Sequence, residues 1–119
     1  MTISRFIAAG AIAAAPLAAS AEGWTTEDLG SIATEAECVA AAGDMFETFG
    51  DREGYHSTAT GGWTVAGYDL TEDDYDGLVT CAYGPDGQTR ATLVVYSVGN
   101  ADQDERRRIA ATLKEIWNE

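Results

Sequence analysis

The sequence predicts a two-layer α+β domain in which two helices pack on a three-stranded antiparallel meander, stapled by one disulfide. Three short runs rich in β-branched and aromatic residues, bounded by Gly, Pro or Asp, predict the meander at 63–70, 78–83 and 91–98. Apolar residues recur at helical spacing on either side, within 34–49 and 100–117. The order helix, three strands, helix follows from these patterns.

Residues 1–21 have the composition of an export signal. Arg5 provides the positive start, residues 6–15 are small and apolar, and Ala19-Ser20-Ala21 fits the small-x-small rule of signal peptidase. The apolar run is too short to span a bilayer stably. We expect cleavage after Ala21, a single periplasmic or secreted domain over 22–119, and no membrane anchor after removal of the signal.

Two cysteines, Cys38 and Cys81, follow the predicted cleavage site. A cysteine pair in a small exported domain predicts a disulfide, because the compartment is oxidising and a small core gains from a covalent tie. Two free buried thiols are the alternative. Strand alternation puts Val79, Cys81 and Tyr83 on one face, which the bridge would make the helix-covered face.

The first helix is predicted to begin at a capping box. Thr34 and Glu37 have the spacing at which a hydroxyl and a carboxylate satisfy the first free amides of a helix. The helix is expected to end at Phe49, with Gly50 as a left-handed C-cap, and Gly43 would allow another backbone to come close. The predicted apolar stripe contains Cys38, Val39, Ala42, Met45, Phe46 and Phe49.

The remaining segments are less strongly patterned. Residues 22–33 indicate a lead-in with one turn or a short strand, and residues 51–62 a polar crossing that would tolerate an edge strand. Residues 93–98 are almost continuously apolar, which is typical of a central strand or one covered on both faces. The last helix is predicted to begin with Asn100 as its N-cap and to bury Ile109, Leu113 and Ile116.

The charge balance limits the classes of partner. Loss of Arg5 with the signal leaves six basic residues against 20 acidic ones, a net charge of −14. Nonspecific binding to nucleic acid is excluded and docking on an anionic membrane is disfavoured, because both need phosphates neutralised by Lys or Arg. The charge favours a cationic partner. A solvated acidic surface without a partner is the alternative.

The acidic turn between the first two predicted strands is the sharpest candidate for a ligand or partner surface. Glu72, Asp74 and Asp76 match positions 1, 3 and 5 of an EF-hand calcium loop, but Tyr83 stands where that loop has a bidentate Glu. A weak Ca²⁺ site and an ordinary solvated turn are both compatible with this pattern. Amphipathic rings beside carboxylates are typical of recognition surfaces, and the candidate residues are Tyr68, Asp69, Glu72, Asp74, Tyr75 and Asp76.

His56 is the only histidine and the one weak catalytic candidate. A nucleophile–His–acid mechanism would require a distant serine, Ser31 or Ser97, because the adjacent Ser57 points away on an extended chain. The sequence has no G-x-S-x-G motif, no zinc spacing and no cofactor signature. A surface histidine is the simpler interpretation.

Three consecutive arginines in the last predicted helix form the only basic cluster. Helical spacing pairs Arg106 with Asp102, and Arg108 with Asp104 or Glu105, so local ion pairs are expected to neutralise most of the cluster. A docking spot for an anionic partner is the alternative.

Aromatic residues are numerous for a domain of this size. Tyr68 and Tyr75 flank the acidic turn and are assigned to a recognition surface. Four others are expected to fill the core around the sheet, namely Trp63, Tyr83, Tyr96 and Trp117.

Together these observations favour a non-enzymatic exported domain that binds a protein or a small ligand, in its most specific form a cationic protein. Small size, high acidity and the lack of a nucleophile–base pair support it. One alternative is a small secreted hydrolase that uses His56 with carboxylates from Asp69, Asp74 and Asp76. The other is a module stabilised by Ca²⁺.

Overall fold

A five-stranded antiparallel sheet carries two helices on one of its faces in the computed structural model, which describes residues 23–54, 58–71, 75–97 and 102–119. The predicted signal peptide lies outside these residues, so its cleavage stays a prediction. The helices are α1 (Glu35–Glu53) and α2 (Gln103–Trp117). The strands are β1 (Gly23–Ile32), β2 (Thr58–Thr60), β3 (Thr64–Gly67), β4 (Tyr75–Tyr83) and β5 (Thr89–Ser97).

The strand order is β1-β5-β4-β3-β2. Strands β2 to β5 pair in chain order as a meander, and β1 pairs with β5 to complete the sheet. The α+β class is confirmed, and the predicted three-stranded meander forms its β3-β4-β5 part. The three-strand count is wrong, because two further strands extend the sheet at its edges.

Strand β1 lacks the alternating apolar pattern because its inward positions are polar. The Thr25 hydroxyl accepts a hydrogen bond from Arg106 Nε at 3.0 Å, and the Glu27 carboxylate accepts one from Lys114 Nζ at 3.3 Å. Both cations project from α2. The strand is therefore stabilised by polar contacts with a helix distant in sequence, which no local pattern could predict.

A β-bulge interrupts β1 between Asp28 and Gly30. Gly30 has a left-handed backbone, with φ of 90°, and its amide donates to the Asp28 carboxylate at 2.8 Å. The inserted residue, Leu29, is buried in the core. The other edge strand, β2, has three described residues, all exposed, which agrees with the edge strand that 51–62 would tolerate.

Helix α1 begins as predicted and ends later. The Thr34 hydroxyl accepts a hydrogen bond from the Glu37 amide at 3.1 Å. The predicted C-cap is wrong, because Gly50 is buried inside the helix and Gly54, with φ of 90°, is the left-handed cap. Two ion pairs stabilise the additional turn. Arg52 contacts Glu119, which follows α2, and Glu53 contacts Arg108 within α2.

Helix α2 begins at a different cap from the predicted one. The Asp102 carboxylate accepts a hydrogen bond from the Asp104 amide at 2.9 Å, so Asp102 and not Asn100 is the N-cap. The Tyr75 hydroxyl fixes this cap from β4, donating to the Asp102 carbonyl at 3.1 Å and accepting from its amide at 2.8 Å. The predicted apolar stripe is confirmed, since Ile109, Leu113 and Ile116 are buried.

The disulfide joins the two layers at their interface. Cys38 in the first turn of α1 is bonded to Cys81 in β4, with 6.0 Å between the Cα atoms, and both residues are buried. The predicted bridge is confirmed. A buried disulfide in so small a domain is consistent with an extracellular or periplasmic location.

The Phe46 ring packs directly on the backbone of two strands. Gly67 in β3 and Gly77 in β4 are cross-strand partners, and a Cβ atom on either one would lie 2.5 to 2.9 Å from the nearest Phe46 ring carbon. Glycine at both positions is therefore a packing requirement. Gly43 has no such role, because no atom of the described residues lies within 4 Å of its Cβ position, so the expected close approach is wrong.

We predict that replacing both cysteines with Ala lowers the free energy of unfolding by about 4 kcal/mol, since the bridge spans a sequence separation of 43. Urea unfolding of the oxidised protein and the variant measures the difference. The reduced wild-type protein is the control and should match the variant. A loss below about 1 kcal/mol would contradict a stabilising role for the bridge.

Gly67→Ala and Gly43→Ala should change stability in opposite directions. The first forces a methyl group into the Phe46 ring and should cost about 1–3 kcal/mol, whereas the second fills open space in a helix and should gain up to about 1 kcal/mol. Thermal and urea unfolding compare the two variants with the wild type. Adding Phe46→Leu to Gly67→Ala should restore part of the loss; no recovery would show that the ring is not the cause.

Candidate functional site

The two faces of the sheet have different environments. Side chains alternate between the two faces along each strand. The face that contains Cys81 is covered by both helices. Cys81 is bonded to α1, and Ser97 on the same face accepts a hydrogen bond from Arg106 of α2. No described element packs on the opposite side. We call that side the open face, formed by Trp24, Thr26, Asp28, Ala59, Thr64, Ala66, Asp76, Leu78, Thr80, Arg90, Thr92, Val94 and Tyr96.

The strand register arranges the open face in rows that cross the strands. The central row is mostly apolar and crosses the whole sheet: Thr26 pairs with Val94, Val94 with Leu78, Leu78 with Ala66, and Ala66 with Ala59. Side chains opposite one another on paired strands lie within contact distance. From Val94 to Ala59 the row is therefore a continuous apolar strip that no described element covers.

The two neighbouring rows are polar and aromatic. On one side, Asp28 pairs with Thr92, which leads across the sheet to Thr80 and Thr64. On the other, Trp24 pairs with Tyr96, and their ring centroids are 4.3 Å apart. The face thus combines an apolar centre with hydroxyl groups and an exposed aromatic pair, the mixture found at protein recognition surfaces.

Two large apolar side chains of the open face are exposed. Trp24 is 67% exposed and Leu78 is 40% exposed, although both lie on regular strands. The expectation that 93–98 is covered on both faces is wrong, since Val94 and Tyr96 are only partly buried. The central position of the strand is confirmed, because β5 lies between β1 and β4.

Part of the predicted acidic surface adjoins the open face. Asp76 pairs with Tyr96, and its carboxylate accepts a hydrogen bond from the Asp69 amide at 3.0 Å. Tyr68 is exposed, whereas Tyr75 is only 4% exposed and holds the cap of α2. Its assignment to the recognition surface is therefore wrong, because its hydroxyl is used in the core of the fold.

The calcium hypothesis falls largely outside the described residues, since Glu72 and Asp74 are not among them. Within the described part of the chain, no group of three or more His, Cys, Asp or Glu side chains is arranged to hold a metal ion. The Asp76 carboxylate is engaged with the Asp69 amide.

The catalytic hypothesis also depends on a residue that the structure does not describe. His56 lies outside the described residues. Of its two possible serine partners, Ser97 is buried and accepts a hydrogen bond from Arg106 at 2.7 Å, and Ser31 accepts one from Arg90 at 3.1 Å. Each hydroxyl oxygen is thus held by a guanidinium group in the described structure.

Two of the aromatic residues assigned to the core are exposed. Trp63 is 54% exposed in the bend before β3, and Tyr83 is 66% exposed as the last residue of β4. Trp117 packs against the core, as predicted. Sequence alternation alone does not reveal how far along a strand the covering helices reach.

The arginine cluster is divided between core and surface. Arg106 is only 4% exposed, and its guanidinium donates hydrogen bonds to the hydroxyl groups of Thr25 and Ser97. The predicted pair of Arg106 with Asp102 is therefore wrong. Arg108 pairs with Glu105, as predicted, and also with Glu53; the hydrogen bond to Glu105 raises the pKa of Arg108. The predicted Asp104 contact is replaced by Glu53.

Comparison with protein-family models, with curated proteins and with solved structures finds no match to this chain. Neither helix in the described part of the chain combines the length and the apolar character needed to cross a membrane. The functional argument therefore depends on the surfaces of the domain itself.

Ser97→Ala should destabilise the protein by about 1.5–3 kcal/mol, because it removes a hydrogen-bond acceptor from a buried cation. Ser31→Ala is the matched control: it also removes a hydroxyl bound by an arginine, but at an exposed position, and should cost less than about 0.5 kcal/mol. Urea unfolding measures both variants. Equal losses would contradict the argument from burial.

Proposed function

We propose that this protein is a non-enzymatic exported binding module that docks a cationic protein on its open face. The observation that carries the proposal is the mostly apolar row from Thr26 to Ala59, which no described element covers, with Leu78 exposed in it and Trp24 exposed in the neighbouring row. Single exposed apolar residues are ordinary, but a contiguous apolar patch rimmed by polar groups is typical of an interaction site.

Charge supports a cationic protein over a second copy of the same chain. The sequence carries 20 acidic residues against seven basic ones. The open face contributes Asp28 and Asp76 against the single cation Arg90, so two copies would bring like charges together. A basic partner would gain long-range attraction during approach and apolar contact on arrival.

The shape of the face also favours a protein over a small molecule. A twisted sheet surface is broad and lacks the concave walls that bury most of a small ligand. Protein interfaces, in contrast, combine an apolar centre with a polar rim, and aromatic side chains are enriched within them. The Trp24–Tyr96 pair would supply rigid aromatic contact area at one end of the face.

A photo-crosslinking experiment tests the docking surface. A photoreactive phenylalanine analogue in place of Leu78 should crosslink a basic protein in an envelope extract, and the same analogue at Ala111, exposed on α2, should not. Trp24→Ser in the Leu78 crosslinker should reduce the yield at least about tenfold, because aromatic anchors dominate interface energies. Raising salt from about 0.05 to 0.5 M should also reduce it.

Two results would contradict the proposal. Equal yields from positions 78 and 111 would show that the open face is not the docking surface. A specific partner that is acidic, or whose capture does not weaken with salt, would show that the charge of the domain does not select it.

A further inference from the structure

A second candidate site lies in the helical layer, on the side of the molecule away from the open face. It is a cleft of about 270 Å³ between α1 and the end of α2. From α1 it is lined by Ala41, Asp44, Met45 and Thr48, and from the other side chiefly by Ile116 and Trp117. Its volume is near the lower limit for small-molecule sites, so it fits a ligand of few atoms or one inserted side chain.

The floor of the cleft is apolar. Met45 and Ile116 are buried members of the core, and Trp117 packs against the same cluster while remaining partly accessible. A methionine thioether adapts to different ligand shapes, and an indole ring offers a large apolar surface. The floor therefore suits an aliphatic chain.

The mouth of the cleft is acidic. Glu119 lies at one side, where both of its carboxylate oxygens accept hydrogen bonds from Arg52, at 2.7 and 2.9 Å. These hydrogen bonds lower the pKa of Glu119, and the Arg52 guanidinium balances its charge. Asp44 makes no hydrogen bond or ion pair with another described residue, so its negative charge is the one left uncompensated at the mouth.

We propose that this cleft binds an alkylammonium group, with the aliphatic chain on Met45 and Ile116 and the ammonium beside Asp44 and Trp117. An ammonium gains Coulomb attraction from Asp44 and cation–π attraction from the indole ring, whereas an anion would be repelled and a neutral chain would gain only apolar contact. The same chemistry is present in a lysine side chain of a protein and in a free aliphatic amine.

Titrations of the isotopically labelled, disulfide-bonded protein test the site by NMR. The probes are Nα-acetyl-lysine N-methylamide for the protein source and 1,5-diaminopentane for the free amine. The control is Nα-acetyl-norleucine N-methylamide, which keeps the aliphatic chain and lacks the ammonium. We expect both amines, and not the control, to shift the Asp44 and Thr48 amides and the Trp117 indole signal. Whichever amine binds more tightly identifies the source.

Charge-matched variants separate a site from general attraction. Asp44→Asn should weaken amine binding at least about tenfold, and Glu47→Gln, which removes the same charge from an exposed position of α1 outside the cleft, less than about twofold. Ala41→Leu, which fills the cleft while keeping its charges, should abolish the shifts. Unchanged shifts elsewhere in the spectrum verify that each variant is folded.

Three results would overturn the proposal: equal weakening by Asp44→Asn and Glu47→Gln, equal shifts from the norleucine control, or no shifts from either amine. The inference is independent of the open face. Trp24→Ser should leave amine binding unchanged, and Asp44→Asn should leave crosslinking from position 78 unchanged, so the failure of one proposal is distinguishable from that of the other.

Discussion

The disulfide between Cys38 and Cys81 ties α1 to the side of the sheet that forms the interior. Side chains alternate along a strand, so fixing one residue of β4 against α1 fixes the direction of every other residue of that strand and, through the register, of its neighbours. The bridge is formed at the first turn of α1, next to the Thr34 cap. One covalent bond thus helps to orient the helix and holds it over the face that forms the core.

Polar contacts fix the position of the second helix on the sheet. Helix α2 is joined to β1 through the Arg106 and Lys114 side chains and to β4 through the Tyr75 hydroxyl. A buried guanidinium bound by hydroxyl groups is a demanding arrangement, because its hydrogen bonds have strict geometry and its desolvation is costly. These contacts define the position of α2 more narrowly than apolar packing would.

Much of the fold can be predicted from the sequence, because the capping residues, the apolar stripes of both helices and the cysteine pair are local signals. For 22–33 the sequence predicts one turn or a short strand, and the full ten-residue length of β1 could not be predicted, since its inward residues Thr25 and Glu27 are polar for a reason that lies in α2. Helix α1 ends later than its local pattern predicts for a similar reason: Arg52 and Glu53 extend α1 through contacts with distant partners.

The candidate site was only partly predictable. The composition of the acidic turn indicates a surface, and its Asp76 and Asp69 lie at the open face, whereas Tyr75 is buried. The open face itself was missed because Val94 and Tyr96 interrupt the alternation of β5 with apolar residues on the solvent side. An apolar residue in a strand does not reveal which layer covers it until the helices are placed.

The bulge in β1 has a consequence for how the molecule behaves among its own copies. A long, regular edge strand presents a row of backbone groups on which another chain can add a strand, the first step of fibre growth. Here the register of the ladder shifts between Asp28 and Gly30, beside the acidic side chain of Asp28, and the opposite edge of the described sheet is the three-residue strand β2. Both edges therefore disfavour the addition of a strand from another copy. Contacts with other proteins then depend on side chains.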